Sequence, residues 1–246
     1  LIKRCAFSIV VNDVIADEIQ RIHKLKKRPI VVRSMPNLWH VDEIATQQMH
    51  TEFCKKLGVS QNSFIVMYHG SITSGRGIET LIRLVSLNLN ICAVILGFGD
   101  AGYVDSLKKQ ASGTEVEKRV LFYPAVPVEE LWRYVGAADV EIMVIEPLAK
   151  SYYYALPNKL FESIQSLTPI LASNYPEMKN IIEEYSIGLT CDPKNLQEID
   201  SCIERMRTDK AFYAQCKENL KRAKQELCWE NEKNVLIEAY RKVFSQ

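Results

Sequence analysis

The sequence predicts an α/β protein: a parallel sheet with helices on both faces. Three observations carry that reading. Short apolar runs rich in β-branched residues recur from residue 64 to 192. The segments between them place apolar residues at helical spacing, as in successive βαβ units. The chain of 246 residues is 47% hydrophobic and 25% charged, enough apolar material for a sizeable core.

The elements follow in order. FSIVV (7–11) reads as a strand, and Asn12 or Asp13 can cap a helix carrying Ile15, Ile19 and Ile22. PIVVR (29–33) is a second short strand, broken by SMPN. A polar helix within 40–60 ends at Leu57-Gly58, where glycine suits a helix C-terminus. FIVMYH (64–69) is a buried-type strand, followed by the loop GSITSGRG (70–77) and a helix with Ile78, Leu81, Ile82 and Val85 on one face. ICAVIL (91–96) leads into GFGDAG and a helix from about Tyr103. VLFY (120–123) precedes a helix with Leu131, Trp132 and Val135, of which Trp132 is expected in the core. DVEIMVI (139–145), a long loop, the helix 157–167, PILAS (169–173), a helix near 176–185 and GLTCD (188–192) complete the alternation. Consecutive helices are expected from about Asn195 to the end.

Composition excludes several classes. The formal net charge is +1, and the densest cationic run, LKKR (25–28), reads as a solvated loop, so nucleic acid is not an expected partner. Seven dispersed cysteines without C-x-x-C spacing suggest reduced thiols in a cytosolic compartment, and four scattered histidines make a metal site improbable. No apolar run approaches the length of a membrane span, and the start has no signal-peptide layout. The chain begins without Met inside an apparent strand and reads as a fragment.

Three loops at strand ends have chemistry to offer, where ligands collect in open α/β sheets. In the first, Gly70, Gly75 and Gly77 let backbone approach a ligand, and Arg76 adds a guanidinium at a helix N-terminus, an anion site. A flexible turn with a solvated arginine is the equally weighted alternative. The second, Gly97-Phe98-Gly99-Asp100-Ala101-Gly102, spells the dinucleotide-binding G-x-G-x-x-G. Its context fails: the next strand ends in Tyr123-Pro124-Ala125 without the acidic residue a nicotinamide cofactor's ribose needs, and the motif follows the second strand rather than the first. NAD is therefore not expected, although Gly97 and Gly99 can still approach another nucleotide. In the third, Pro157 opens a helix with Asn158, Lys159 and, one turn on, Glu162, whose carboxylate suits a vicinal diol. The alternative is an ordinary surface pair between Lys159 and Glu162, worth about 0.2–0.5 kcal/mol. Tyr152, Tyr153 and Tyr154 are either packing residues or a wall around a ligand.

Taken in order, GSITSGRGIETLI, ILGFGD, FYPAVPVEELWRYVGAADV and ALPNKLFESIQSLTPILAS resemble the carboxyl-terminal, donor-binding half of a GT-B glycosyltransferase of family 4. VVRSMPN and the tail CWENEKNVLIEAYRKVFS resemble the flanking parts of that architecture. The resemblance implies a Rossmann-like donor domain at 61–227, the end of an amino-terminal acceptor domain at 1–38, a linker and connecting helix at 39–60, and a helix at 228–246 that crosses back. It implies a nucleotide-sugar donor, UDP- or GDP-linked, no other cofactor and no metal. Transfer with retention to a glycan or lipid-linked acceptor, bound by the amino-terminal domain, also follows from it, as does a place in surface-polysaccharide synthesis. The expected location is cytoplasmic, peripheral at the inner membrane face where the acceptor is lipid-linked. Residue by residue, Arg76 takes the place of the basic residue at the donor diphosphate, with Lys159 as a second cation. Glu162 matches the second glutamate of an E-x7-E pattern and would hold the ribose; these three are the expected catalytic set. Gly70, Ser71, Gly75, Gly97, Gly99, Tyr123, Val126, Tyr154, Asn158 and Leu160 complete the expected donor contacts. The departures are Tyr154 where the first glutamate would fall, Leu167 where a glycine is common, and Ser71 where a basic residue often stands. A UDP-sugar epimerase of the same architecture and a non-catalytic nucleotide- or partner-binding module are the alternatives.

Overall fold

Asn12 turns the start of the chain into a helix. Its Oδ1 accepts the Ile15 amide at 2.9 Å and fixes the first turn of α1 (Asp13–His23). This helix connects β1 (Ile9–Val10) to β2 (Ile30–Val31), two short parallel strands that pair with each other in a sheet of two. The computed structural model describes residues 2–113 and 115–244. Leu1, Thr114, Ser245 and Gln246 lie outside the described residues, and with them the outer ends of the expected segments 1–38 and 228–246.

A second helix, α2 (Glu43–Leu57), starts at an Asp42 cap and ends on Gly58 at φ 70°. The main sheet then forms from β3 (Phe64–Ile72), β4 (Ile91–Gly99), β5 (Val120–Pro124), β6 (Val140–Met143), β7 (Ile170–Ser173) and β8 (Gly188–Cys191). The helices along it are α3 (Ile78–Leu87), α4 (Ala101–Ala111), α5 (Leu131–Val135), α6 (Lys150–Tyr153), α7 (Asn158–Gln165), α8 (Pro176–Tyr185), α9 (Leu196–Thr208), α10 (Lys210–Glu226) and α11 (Trp229–Phe244). Every neighbouring pair is parallel, in the order β5-β4-β3-β6-β7-β8. Strand order therefore reverses between β3 and β6, the point at which a doubly wound sheet opens a crevice at its carboxyl edge.

Both faces are covered, which is why the strands are apolar throughout rather than alternating. On one face Val66, Ile95, Val140 and Ile142 pack under α3, α4 and α9. On the other Ile65, Met67 and Val94 pack under α2 and α5, and Met143 and Ile170 under α7, α8 and α10. Side chains alternate along a strand, so Glu141 points to the same buried face as Met143.

The structure corrects several expectations. β3 runs on through Ile72 and β4 through Gly99, in register Gly70–Gly97 and Ile72–Gly99. Three of the eight residues of GSITSGRG are thus strand, and so are the first two glycines of G-x-G-x-x-G. Their reason is backbone approach: a Cβ on Gly97 would stand 1.8 Å from the Gly70 carbonyl oxygen, and one on Gly99 2.1 Å from that of Ile72. Asp100 caps α4, accepting the Tyr103 amide at 2.9 Å, so this helix begins at Ala101 and takes Gly102 into its first turn. The stretch before Pro157, read as loop, contains α6. In α5 the large buried ring belongs to Tyr134, and Trp132 is only half-buried because it lies off the face that Leu131, Tyr134 and Val135 present. Leu167 sits at φ 59°, which explains why a glycine would suit that position and costs a leucine about 1–2 kcal/mol.

Residues 7–38 are fastened to the rest by a few specific contacts. Arg33 and Leu38 amides donate to Glu232 and Glu230 at 2.6 and 2.8 Å, and Trp229 N donates to Pro36 O at 2.8 Å. Phe7 meets Tyr240 edge-on at 5.2 Å. The start of α1 docks elsewhere: Val14 N donates to the buried Glu177 at 2.9 Å, and Asn12 Nδ2 to Tyr154 O at 2.7 Å.

Candidate functional site

The crevice between β3 and β6 gathers charged groups from four stretches of chain. The end of β3 supplies Tyr68 and His69, the turn before α3 supplies Arg76, β6 supplies Glu141, and α7 supplies Lys159 and Glu162. Gly77, at φ 81°, makes the turn possible, since a Cβ there would stand 2.1 Å from Val144 O. The turn can therefore tuck against the chain leaving β6.

His69 is the hub. Its Nε2 lies 3.0 Å from Glu162 Oε2, and its Nδ1 3.1 Å from Glu141 Oε1, near enough for an ion pair but not aligned as a hydrogen bond. Glu141 Oε1 also accepts the His69 amide at 3.2 Å. Each ring nitrogen thus faces a carboxylate oxygen, an arrangement that favours the cationic imidazole. Burial opposes that charge, but Glu141 and then Glu162 outweigh it and raise the pKa to about 9.

Lys159 has the opposite problem. It is 8% exposed, and its ammonium has no hydrogen-bond partner among the described residues. The ammonium stands 3.8 Å from the centroid of the Tyr68 ring, whose face attracts a cation. Burial lowers its pKa to about 8, against the pull of Glu141 and helped by the Arg76 charge. The Arg76 guanidinium lies over the Tyr152 ring at 4.9 Å. Two cations beside the N-terminus of α7 make a site suited to an anion with more than one charge. Glu162 has a 20% exposed side chain, so it is anchored from inside by His69 while remaining accessible.

The structure thus brings Arg76, Lys159 and Glu162 together. Lys159 and Glu162 do not form the simple surface pair, because the Glu162 carboxylate is taken by His69. Tyr152, Tyr154, Pro157, Asn12 and Val11 line a pocket with Arg76, and Asn158 is exposed at the start of α7. Gly70 is spent on pairing with Gly97, and Ser71 is exposed, its carbonyl accepting the Tyr68 hydroxyl. Gly75 is buried, its carbonyl accepting the Glu146 amide at 3.0 Å. Leu160 has its side chain fully buried under β6 and β7, and its amide donates to Pro157 O at 3.0 Å. Tyr123 packs against Phe53 and Tyr134 at 5.5 and 5.4 Å, and Val126 joins the same cluster. Tyr123, Gly97 and Gly99 line a separate shallow groove with the exposed Phe98. Among the described residues no group of three or more His, Cys, Asp or Glu is arranged to hold a metal ion, and no helix is long and apolar enough to cross a membrane.

Sequence reasoning missed His69, Glu141 and Tyr68. A cue for Glu141 was present: it is the single charge inside the apolar run Val140–Ile145.

Fold and cleft together place the chain among doubly wound proteins with a charged crevice at a topological switch point. Residues 49–223 match the model of the Glycosyl transferases group 1 family, and the chain belongs to that family. It is 25% identical over 210 residues to an uncharacterized glycosyltransferase of Methanocaldococcus jannaschii, covering 83% of this chain and 52% of the relative. It is 29% identical over 129 residues to the alpha-monoglucosyldiacylglycerol synthase of Streptococcus pneumoniae, covering 46% and 28%. Its fold resembles that of Anabaena Alr3699/HepE in complex with UDP-glucose, with a TM-score of 0.78 at 16% identity, covering 100% of this chain and 65% of the other. Sucrose-phosphate synthase of Thermosynechococcus elongatus gives a TM-score of 0.79 at 20% identity, covering 99% and 60%. These likenesses identify the fold as that of a GT-B carboxyl-terminal domain. The chain spans about half the length of the archaeal relative and under two thirds of either solved structure.

Proposed function

We propose that this chain is the donor-binding half of a retaining glycosyltransferase of family 4, and that the cleft holds a nucleoside-diphosphate sugar, UDP- or GDP-linked. The observation that carries this is Lys159, a buried ammonium without a hydrogen-bond partner beside Arg76 and the N-terminus of α7. A buried cation left unpaired is costly, and a diphosphate would satisfy it. In this reading Arg76 and Lys159 bind the diphosphate and stabilise it as it departs, and Glu162 holds the ribose diol. Retaining transfer then depends on positioning and on the charge met by the leaving group more than on protein acids. Tyr152 and Tyr154 flank the sugar, and the groove at Gly97, Gly99 and Tyr123 receives the base. Residues 61–227 form the donor domain, residues 1–38 and 228–246 belong with an acceptor domain, and 39–60 connect the two. That second domain binds a glycan or lipid-linked acceptor, in surface-polysaccharide synthesis at the inner membrane face. No metal or further cofactor takes part. One relative named as a glycosyltransferase, another named as an alpha-monoglucosyldiacylglycerol synthase and the UDP-glucose complex of a fold neighbour support this reading over an epimerase.

Calorimetric titration with UDP and GDP tests it. One of the two should bind saturably, and Arg76→Ala and Lys159→Met should each weaken it about 10- to 100-fold, the range for a lost hydrogen bond to a charged group. Binding that both substitutions leave unchanged would refute the assignment.

A further inference from the structure

We infer that His69 and Glu141 form a positioning relay, built across the strand-order switch, that presents the Glu162 carboxylate to the ribose diol of the ligand. The inference rests on the proposed role of Glu162 and extends it to two residues that touch no ligand themselves.

The geometry is specific. β3 and β6 are neighbours, with Met67 opposite Glu141. The end of β3 carries His69 over the same face that Glu141 occupies, under α7. The three side chains then run Glu141, His69, Glu162, at 3.1 and 3.0 Å. Exposure rises along the row, from 0% at Glu141 and 2% at His69 to 20% at Glu162. The row starts in the core and ends in the cleft. Among the described residues Glu141 Oε2 has no hydrogen-bond partner, so the inner carboxylate is not there to complete a closed network. A charge at that depth in an apolar strand is expensive, and packing alone would be served by an aliphatic residue.

The physical effect follows from what Glu162 would do without the relay. A glutamate in the first turns of a helix has several rotamers, and holding a diol bidentately requires one of them. The imidazole holds Oε2 at 3.0 Å, which fixes the carboxylate plane and leaves Oε1 to accept from the ligand. Glu141 in turn stands 3.1 Å from Nδ1 as an ion-pair partner, which favours the cationic imidazole and holds its ring in place. Lys159, Arg76 and Tyr68 also surround this row; they face the proposed diphosphate and are not part of the clamp.

The test compares affinity for UDP with that for 2′-deoxy-UDP, and for GDP with 2′-deoxy-GDP, by calorimetry, with inorganic pyrophosphate as a third probe. Discrimination between ribose and deoxyribose reads the diol contact alone; a structural role would weaken all the ligands together. The native chain should prefer the ribonucleotide about 10-fold, as one hydrogen bond to a charged group predicts. In His69→Leu/Glu141→Leu, which removes both buried polar side chains and costs the His69 amide its Glu141 acceptor, the ratio should fall towards one while pyrophosphate affinity stays the same. His69→Gln, which can still donate to Glu162, should retain most of the preference. If the double variant does not fold, Glu141→Gln, of the same shape, decides by the same ratio. A double variant, or Glu141→Gln in its place, that keeps the native ratio overturns the relay. A native ratio of one overturns it as well, while leaving a diphosphate site intact. If pyrophosphate and both ribonucleotides fail to bind, the reading of the cleft itself falls and takes the relay with it.

Discussion

At the scale of single residues, His69 and Lys159 show how one cleft can shift two cations in opposite directions. Both are buried, and burial disfavours both charges. His69 has a carboxylate against each nitrogen and ends above its ordinary value, at about 9 instead of 6.5. Lys159 has only an aromatic face and more distant carboxylates, and ends below its own, at about 8 instead of 10.5. The consequences for stability have opposite signs. The folded chain holds the His69 proton more tightly than the unfolded chain, so that contribution is complete below pH 6.5 and is lost as pH rises through about 9. The Lys159 proton is held less tightly in the folded chain, so its penalty is present below about pH 8 and disappears towards pH 10.5. Urea unfolding between pH 6.5 and 9 separates the two. Lys159→Met should be more stable than the native chain at pH 7 and lose stability steadily with rising pH, whereas His69→Gln should lack the decline. A decline unchanged in His69→Gln would show that other groups cause it.

At the scale of elements, the long apolar and amphipathic segments were legible because their periodicity is set by burial. α2 ends on Gly58, α8 spans Pro176–Tyr185 and Asn195 caps α9, all as spacing and capping residues predict. What misled was the meaning of glycine. In letters, Gly97 and Gly99 look like a turn that cradles phosphate; in three dimensions they let β4 lie against β3. Strand pairing is a long-range fact, and a local pattern does not contain it. The same holds for the candidate site. Arg76, Lys159 and Glu162 could be picked out because they stand at strand ends and a helix start, while His69 and Glu141 matter only through the neighbour each acquires from another strand or helix. Substitution separates the two uses of glycine. Gly97→Ala drives a Cβ into the Gly70 carbonyl and should cost about 3 kcal/mol or more. Gly58→Ala, with open space around a left-handed backbone, should cost about 1 kcal/mol. Urea midpoints check both; equal costs would mean that the β3–β4 approach is not what requires Gly97.

At the scale of the molecule, the sheet provides a crevice, and the amino-terminal segment closes one side of it. Asn12 both starts α1 and donates to the Tyr154 carbonyl, and Glu177 takes the Val14 amide. One end of α1 is therefore fixed to the segment that carries Tyr152 against Arg76. The proposed donor site is thus assembled from the sheet, α7 and a docked segment that lies outside the six-stranded core. The most direct measurement is a crystal structure of this chain with UDP or GDP. The account predicts the diphosphate within hydrogen-bond distance of Lys159 Nζ and the Arg76 guanidinium, and the ribose hydroxyls on Glu162 with His69 still behind it. A nucleotide bound elsewhere, with the Lys159 ammonium still unpartnered, would contradict it.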